Sequence, residues 1–225
     1  MIAPECRRAE DIFWGDPHNI AWFREEPVPP YWDEFFRKAD RTAVNRVLDL
    51  GCGAGRVAKM LAGYSYDFRA CDFNPEMARE TVMRLAGKQS IADQVTRVSQ
   101  ASMIALPYPD GYFDAVVSNG VYHNAWSRED LGKALGETAR ILRSRGYLCF
   151  NLFTSGFVAS DLKPVANMGD LYVTAEGLRM VLVSKEDFLE MAGQNNLHVE
   201  GEITEYLREV TTGRRYVVRG VLRTD

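Results

Sequence analysis

The stretch RVLDLGCGAGRVAKML, residues 46–61, decides the fold. It leads from an apolar strand, Arg46 to Leu50, through glycines at 51, 53 and 55 into a helix read over Gly55 to Ala62. Glycine costs backbone entropy in an ordered element, so three of them at the exit of a buried strand mark a turn where main chain and ligand come close. Such a strand-turn-helix also gathers backbone N–H groups at one point. Asp49 precedes the glycines instead of following them. A carboxylate there repels a pyrophosphate and suits a ligand carrying an ammonium group. The spacing G-x-G-x-G also puts Arg56 where a dinucleotide fingerprint needs a small residue for helix packing.

Outward from this loop, short apolar strands alternate with amphipathic helices. Phe68 to Cys71 reads as a second strand ending at Asp72, placed to accept hydrogen bonds from a ribose diol. Asn74 caps a helix with Pro75 at its first position, Ala78, Val82 and Leu85 on its apolar stripe and Gly87 as its stop. Gln94 to Val98 reads as a third strand and Phe113 to Ser118 as a fourth, separated by the turn-rich LPYPDGY. Ser127 caps the next helix, whose stripe is Leu131, Ala134, Leu135, Thr138, Ala139 and Leu142, and Gly146 opens a fifth strand, Tyr147 to Phe153. Parallel strands need crossovers, so the alternation implies an α/β fold with helices on both faces of the sheet.

Residues 154–183 interrupt the rhythm with Gly, Pro and Met and read as a cap-like insertion over the carboxyl edge of the sheet. A helix from Ser184 to Ala192 and a hairpin, Leu197 to Val210 and Arg215 to Leu222 joined through TTGR, complete the chain. The first 45 residues carry Trp14, Trp22, Tyr31 and Trp32 among several prolines, with a helix starting at Pro30. Their aromatic face must pack on the main body (46–225) or close over a ligand as a lid.

With 225 residues, 46% hydrophobic and 26% charged, the chain suits one soluble globular domain with an appended segment. A net charge of -4 gives no global attraction for nucleic acid or an anionic membrane. The arginine groups 140, 143, 145 and 208, 214, 215, 219, 223 read as solvated faces. No stretch approaches the roughly 18 apolar residues of a membrane span, which points to a cytoplasmic protein. Cys6, Cys52, Cys71 and Cys149 lack metal spacing, so they read as reduced thiols, mostly buried, and no metal is expected. Cys52, inside the loop, has no histidine partner at a readable spacing and is expected to fill space.

The segments VLDLGCGAG, CDFNPEM, LPYPDGYFDAVVSN and ARILRSRGYL, in this order over about residues 44 to 153, resemble the class I S-adenosylmethionine-dependent methyltransferases of the small-molecule type. The resemblance implies a Rossmann-like, doubly wound, seven-stranded mixed sheet with one antiparallel strand from the C-terminal hairpin. It also implies S-adenosyl-L-methionine as cofactor, with S-adenosyl-L-homocysteine as product. Asp49, Gly51, Cys52 and Gly53 would then meet the methionine moiety, Asp72 the ribose and Phe73 one face of the adenine. Ser102 and Met103 fall where the family reads the adenine edge and stacks on its other side, although the family usually has Asp at the first of these. Asn119 falls where it lines the reaction centre.

Methyl transfer from a sulfonium needs placement first, and a general base only for a protonated acceptor. His123 in SNGVYHNAW, just past the fourth strand, is the first candidate base, with Tyr122 beside it as a substrate contact. His18 in WGDPHN is the second, with Asp16 to orient it unless both only make turn hydrogen bonds. Phe153, Phe157, Met168, Tyr172 and Met180 are candidates for the wall of an apolar acceptor pocket or for ordinary core filling. The expected partner is a small-molecule acceptor, with no nucleic acid or membrane, for a monomer or homodimer. Two other readings stand beside this one: an NAD(P)-binding Rossmann oxidoreductase, and an adenosylmethionine-binding protein without transfer.

Overall fold

The computed structural model describes residues 4–87 and 90–225, with side chains from residue 9 onward; the expectation for Cys6 falls outside the described side chains. The central element is β1 (Arg46–Leu50), which pairs in parallel with β2 (Asp67–Asp72) on one edge and β4 (Phe113–Asn119) on the other. Its alternate residues serve opposite layers, as the two-residue period of a strand requires. Leu48 and Leu50 join a core with Leu131, Leu135, Phe150 and Phe188, whereas Val47 joins one with Trp32, Phe36, Val57 and Leu61. Both faces are covered, which is why β1 and β4 read as nearly continuous apolar runs.

The helices responsible are α7 (Arg128–Ile141) and α8 (Lys185–Gly193) on the first face, and α3 (Pro30–Lys38) and α4 (Arg56–Gly63) on the second. Local chemistry starts them where expected. The side chain of Asn74 accepts from the N–H groups of Glu76 and Met77 at the head of α5 (Pro75–Leu85), Ser127 accepts from Asp130 at 3.0 Å, and Ser184 from Asp187 at 3.0 Å. The buried face of α5 is Met77, Ala78 and Thr81, rotated by one residue from the expected stripe, because Thr81 packs beneath the glycine loop.

The third strand is where the sequence reading fails. Ser90 Oγ accepts the N–H of Asp93 and starts a one-turn helix, α6 (Ile91–Val95), so that β3 is only Val98–Gln100. A side-chain cap within three residues outweighed the strand-like run that followed it. The fifth strand, β5 (Leu142–Thr154), begins earlier than Gly146 and takes up the added residues in an irregular register beside β4.

The sheet order is β10-β11-β5-β4-β1-β2-β3, with β11 (Gly213–Thr224) antiparallel to β5. The expected arm Leu197 to Val210 is divided at Gly201, where φ is +83°, into β9 (Leu197–Val199) and β10 (Thr204–Val210). Both pair with β11, so eight strands occupy seven positions.

Two further pieces lie at the carboxyl edge. The insertion forms its own antiparallel sheet of β6 (Lys163–Pro164), β7 (Leu171–Val173) and β8 (Arg179–Val181), over a small cluster of Leu162, Met180 and Leu182 that Tyr172 and Phe153 pack against. Phe157 and Met168 of the insertion are exposed instead. The N-terminal segment forms α1 (Pro4–Gly15) and α2 (Pro17–Glu25) ahead of α3. Helix α2 buries no residue fully and is tied down by ion pairs: Arg24 with Glu80, and Glu26 with Arg56 and Arg208. Glu10 of α1 holds Arg179 of β8 through two hydrogen bonds of 2.8 Å.

The arginine groups named above are largely neutralised. Arg140 pairs with Glu137 and Asp110, Arg143 with Asp114, Arg215 with Asp161 and Arg223 with Glu200, while Arg219 lies 4.0 Å over the ring of Tyr31. Among the described residues no helix is long and apolar enough to cross a membrane, and no His, Cys, Asp and Glu group is arranged to hold a metal ion.

Candidate active site

Two cavities meet at the carboxyl ends of β1 and β4, where open α/β sheets place their ligands. The larger, about 200 Å³, is floored by the glycine loop and reaches Asp72, Phe73, Ser102 and Met103. The smaller, about 100 Å³, lies between the N-terminal helices, His123 and the end of β10. Trp14, Phe23, Arg56, Asn119, Gly120, Asn124 and Leu178 line both, so the two are neighbours across one mouth.

The glycine loop differs from a phosphate cradle in where its N–H groups go. Gly51 and Cys52 donate to the carbonyl of Cys71 at 2.8 and 2.9 Å, Gly53 donates to Asp72 Oδ2 at 2.8 Å, and Gly55 to the carbonyl of Cys52. The convergence of N–H groups expected from the sequence therefore serves the protein itself. What the glycines offer is clearance. All three have positive φ, and a Cβ at Gly51 would stand 2.4 Å from Val121 Cγ2, whereas one at Gly53 would meet nothing and project into open space. Helix α4 has no side-chain cap of its own; Asp49 Oδ2 accepts the N–H of Ala58 in its first turn at 2.9 Å. A carboxylate thus already occupies the position an anionic ligand would take at this helix end.

Asp49 is 1% exposed. Burial pushes its carboxyl up to about 7, against the pull of the Ala58 N–H and the Arg56 charge. Ala58 is the donor its Oδ2 meets, and Asp49 borders the larger cavity. Asp72 also sits above the usual carboxylate range because of burial, although Asn74, Gly53 and Phe73 N–H groups hold it down. Asn74 N–H reaches its Oδ1 at 2.9 Å and Gly53 its Oδ2, leaving lone pairs on each oxygen. Phe73 is 48% exposed and meets Trp126 edge to face at 5.9 Å, giving the cavity a flat aromatic wall. Ser102 Oγ accepts the N–H of Ile104 at 3.4 Å. All nine residues expected around a cofactor, Asp49, Gly51, Cys52, Gly53, Asp72, Phe73, Ser102, Met103 and Asn119, line this one cavity. Cys52 is buried and its thiol is pushed far up by burial, so it is no nucleophile.

The expected catalytic residues fare differently. Tyr122 is fully buried, its hydroxyl 2.8 Å from Thr138 Oγ1, and it lines neither cavity. The reading as a substrate contact is corrected: it is a core residue whose one polar atom is satisfied inside. His18 is exposed in the first turn of α2 and lines neither cavity. Asp16 caps that helix by accepting from the N–H groups of His18 and Asn19, so the turn reading holds and the catalytic one does not. His123 does line the smaller cavity, stacked on Phe153 at 4.1 Å and only 3% exposed. Burial, with the Arg215 charge, depresses it to about 3, so it stays neutral throughout the physiological range. The candidate base is therefore a poor one for taking up a proton.

Several site residues escaped the sequence reading, among them Asn151, the partner of the expected Asn119. Asn119 Oδ1 accepts from Trp32 Nε1 at 3.1 Å and from Asn151 Nδ2 at 2.8 Å, which fixes its amide at the shared mouth. Arg179 lies over Trp126 and joins Glu10 to wall the larger cavity. The trio Glu26, Arg56 and Arg208 borders the smaller cavity. Partners here stand up to 182 residues apart, and no local spacing announces them.

Residues 48–150 match the model of a methyltransferase domain family. A sarcosine/dimethylglycine N-methyltransferase of Halorhodospira halochloris is 33% identical over 158 residues, 67% of this chain and 54% of that protein. A demethylmenaquinone methyltransferase of Thermus thermophilus is 36% identical over 109 residues, 47% of this chain and 46% of that one. The chain thus spans about half the length of the curated relatives it matches. In fold it is similar to the Burkholderia thailandensis 1,6-didemethyltoxoflavin-N1-methyltransferase solved with S-adenosylhomocysteine, with a TM-score of 0.68 over 100% of this chain and 92% of that one at 18% identity. Residues 48–150 thus form a class I S-adenosylmethionine-dependent methyltransferase domain.

Proposed function

We propose that the protein transfers a methyl group from S-adenosylmethionine to a small organic acceptor. One observation supports this above the others. Asp49 caps helix α4, and the N–H groups of Gly51, Cys52, Gly53 and Gly55 are bonded internally, an arrangement that disfavours a diphosphate and suits a cation in the larger cavity. An amino-acid ammonium group fits beside Asp49, a ribose diol fits the free lone pairs of Asp72, and a purine ring fits between Phe73 and Met103. When bound, the sulfonium supplies a methyl group already activated for displacement. The chain's own work is placement and exclusion of water. The loop sets the ligand's depth, Asn119 stands at the mouth between the cavities, and α1, α2 and the insertion cover both.

The cavities are enclosed by side chains and by the N-terminal helices, a setting for a small acceptor rather than a polymer. The relatives named above act on small molecules by their names, which supports the same reading. Three buried, unpaired thiols, Cys52, Cys71 and Cys149, suit a reducing compartment such as the cytoplasm. The test is incubation with adenosylmethionine labelled on its methyl group and a small-molecule extract of cells that make the protein, followed by mass spectrometry. Label on a small product supports the reading. Binding of the donor without any transfer across such extracts leaves an adenosylmethionine-binding protein instead.

A further inference from the structure

The smaller cavity holds polar groups that the proposed transfer does not by itself explain. His123 is the most telling. The backbone N–H of Phe153 donates to its Nδ1 at 3.2 Å, so Nδ1 carries no proton. In a neutral imidazole the proton then sits on Nε2, which becomes a donor. Nε2 has no partner among the described residues, and the ring borders the cavity. Around the same cavity, one carboxylate, Glu26, accepts from both Arg56 and Arg208, which leaves one positive charge in excess. Glu26, Arg56, His123 and Arg208 are its only ionisable lining residues among those described. The other walls are largely aromatic and aliphatic, with Phe13, Trp22 and Phe153 among them.

We infer that the smaller cavity is a binding site for a small apolar anion, such as an aromatic carboxylate, oriented by a hydrogen bond from His123 Nε2–H and balanced by the Arg56 and Arg208 guanidinium groups. The inference rests on the proposed function only for the claim that this anion is the methyl acceptor. The polarity of the cavity stands without it. A volume of about 100 Å³ is below the about 150 Å³ of an apolar cavity that takes up benzene, so a single ring fits here only by reaching into the mouth shared with the larger cavity. An ammonium-bearing molecule of the same size meets a donor and a surplus positive charge, and is refused.

Benzoate and benzylamine, equal in shape and opposite in charge, are the probes. Each is titrated into the protein with and without saturating S-adenosylhomocysteine, read by the nitrogen resonances of its three histidines. The expected spectrum has the His123 proton on Nε2 from pH 5.5 to 8 on the order of its depressed basicity, with the exposed His18 and His198 as internal references. Benzoate is expected to shift the His123 Nε2–H and to bind at least about tenfold more tightly than benzylamine, the scale of one charge-assisted hydrogen bond. Arg208→Gln, at a partly exposed position, should remove most of that preference, and His123→Gln, which keeps a donor, should retain it. A His123 proton on Nδ1, or benzylamine binding as well as benzoate, overturns the inference. Failure of S-adenosylhomocysteine to bind while benzoate still does would count against the proposed function and leave the anion site standing.

Discussion

The two cavities share a wall and differ in sign. The larger is bordered by Glu10, Asp11, Asp49, Asp72 and Asp130 against two guanidinium groups, and the smaller by Glu26 alone against two. Arg56 belongs to both, so the field changes across the loop that separates them. One side suits a molecule with positive charge at its ammonium and sulfonium ends, the other a neutral or negative one. In a water-poor site such a gradient favours bringing unlike charges together at the mouth. The lesson is that the glycine loop positions a ligand through the absence of side chains, and the charges behind it choose which ligand.

The largest expected blow to this contrast is Asp49→Asn. Loss of the carboxylate should weaken S-adenosylhomocysteine binding at least about 100-fold, or ~2.7 kcal/mol, as when one partner of a buried charge pair is removed. The same change should raise the melting temperature of the free protein at pH 8. A carboxyl lifted to about 7 on folding binds its proton more tightly in the folded state, so stability is lost as pH rises from about 4 to about 7, by at most roughly 4 kcal/mol. Asparagine escapes that loss and keeps an acceptor for Ala58. Calorimetry and thermal melts read the two effects separately, and unchanged affinity would erase the distinction between the cavities.

Glycine positions sharpen it next. Gly51→Ala drives a Cβ into Val121 in addition to backbone strain, and should cost ~3 kcal/mol of stability in chemical denaturation. Gly53→Ala carries strain alone, about 1–2 kcal/mol, yet its methyl group enters the larger cavity and should abolish ligand binding in a protein that still folds. Equal stability losses would contradict the packing described for the loop. A smaller effect concerns pH. Ionised Asp49 is the form that receives an ammonium group, so S-adenosylhomocysteine affinity should be level above pH 7 and fall about tenfold per unit below it, measured by titration at several pH values. Smallest of all, Tyr122→Phe should lose ~1 kcal/mol with the Thr138 contact and leave binding to either cavity unchanged. A loss of ligand affinity in that variant would return Tyr122 to the site.

How much of this was legible depends on sequence separation. Asp49, the glycines and Asp72 were readable because strand exits and turns are local, and so were the caps at Asn74, Ser127 and Ser184. The strand expected at Gln94 to Val98 failed on equally local grounds, since Ser90 offered a helix start that the apolar run masked. His123 was placed correctly in the chain, but its role depends on burial and on a bond from Phe153, thirty residues on, and neither leaves a mark in spacing. The smaller cavity was least legible. Its charged border joins Glu26, Arg56 and Arg208, brought together only by the docking of α2 between the loop and β10. The floor of the larger cavity is the work of one supersecondary motif, whereas its outer walls and the smaller cavity draw on the whole chain.

The central claim is that a buried carboxylate at the head of α4 selects the ligand of the larger cavity. Calorimetric titration of the protein with S-adenosylhomocysteine and, separately, with NADH at pH 8 tests it most directly. The account predicts measurable binding of the first, lost in Asp49→Asn, and no detectable heat from the second. Tight NADH binding together with silence from S-adenosylhomocysteine would contradict it.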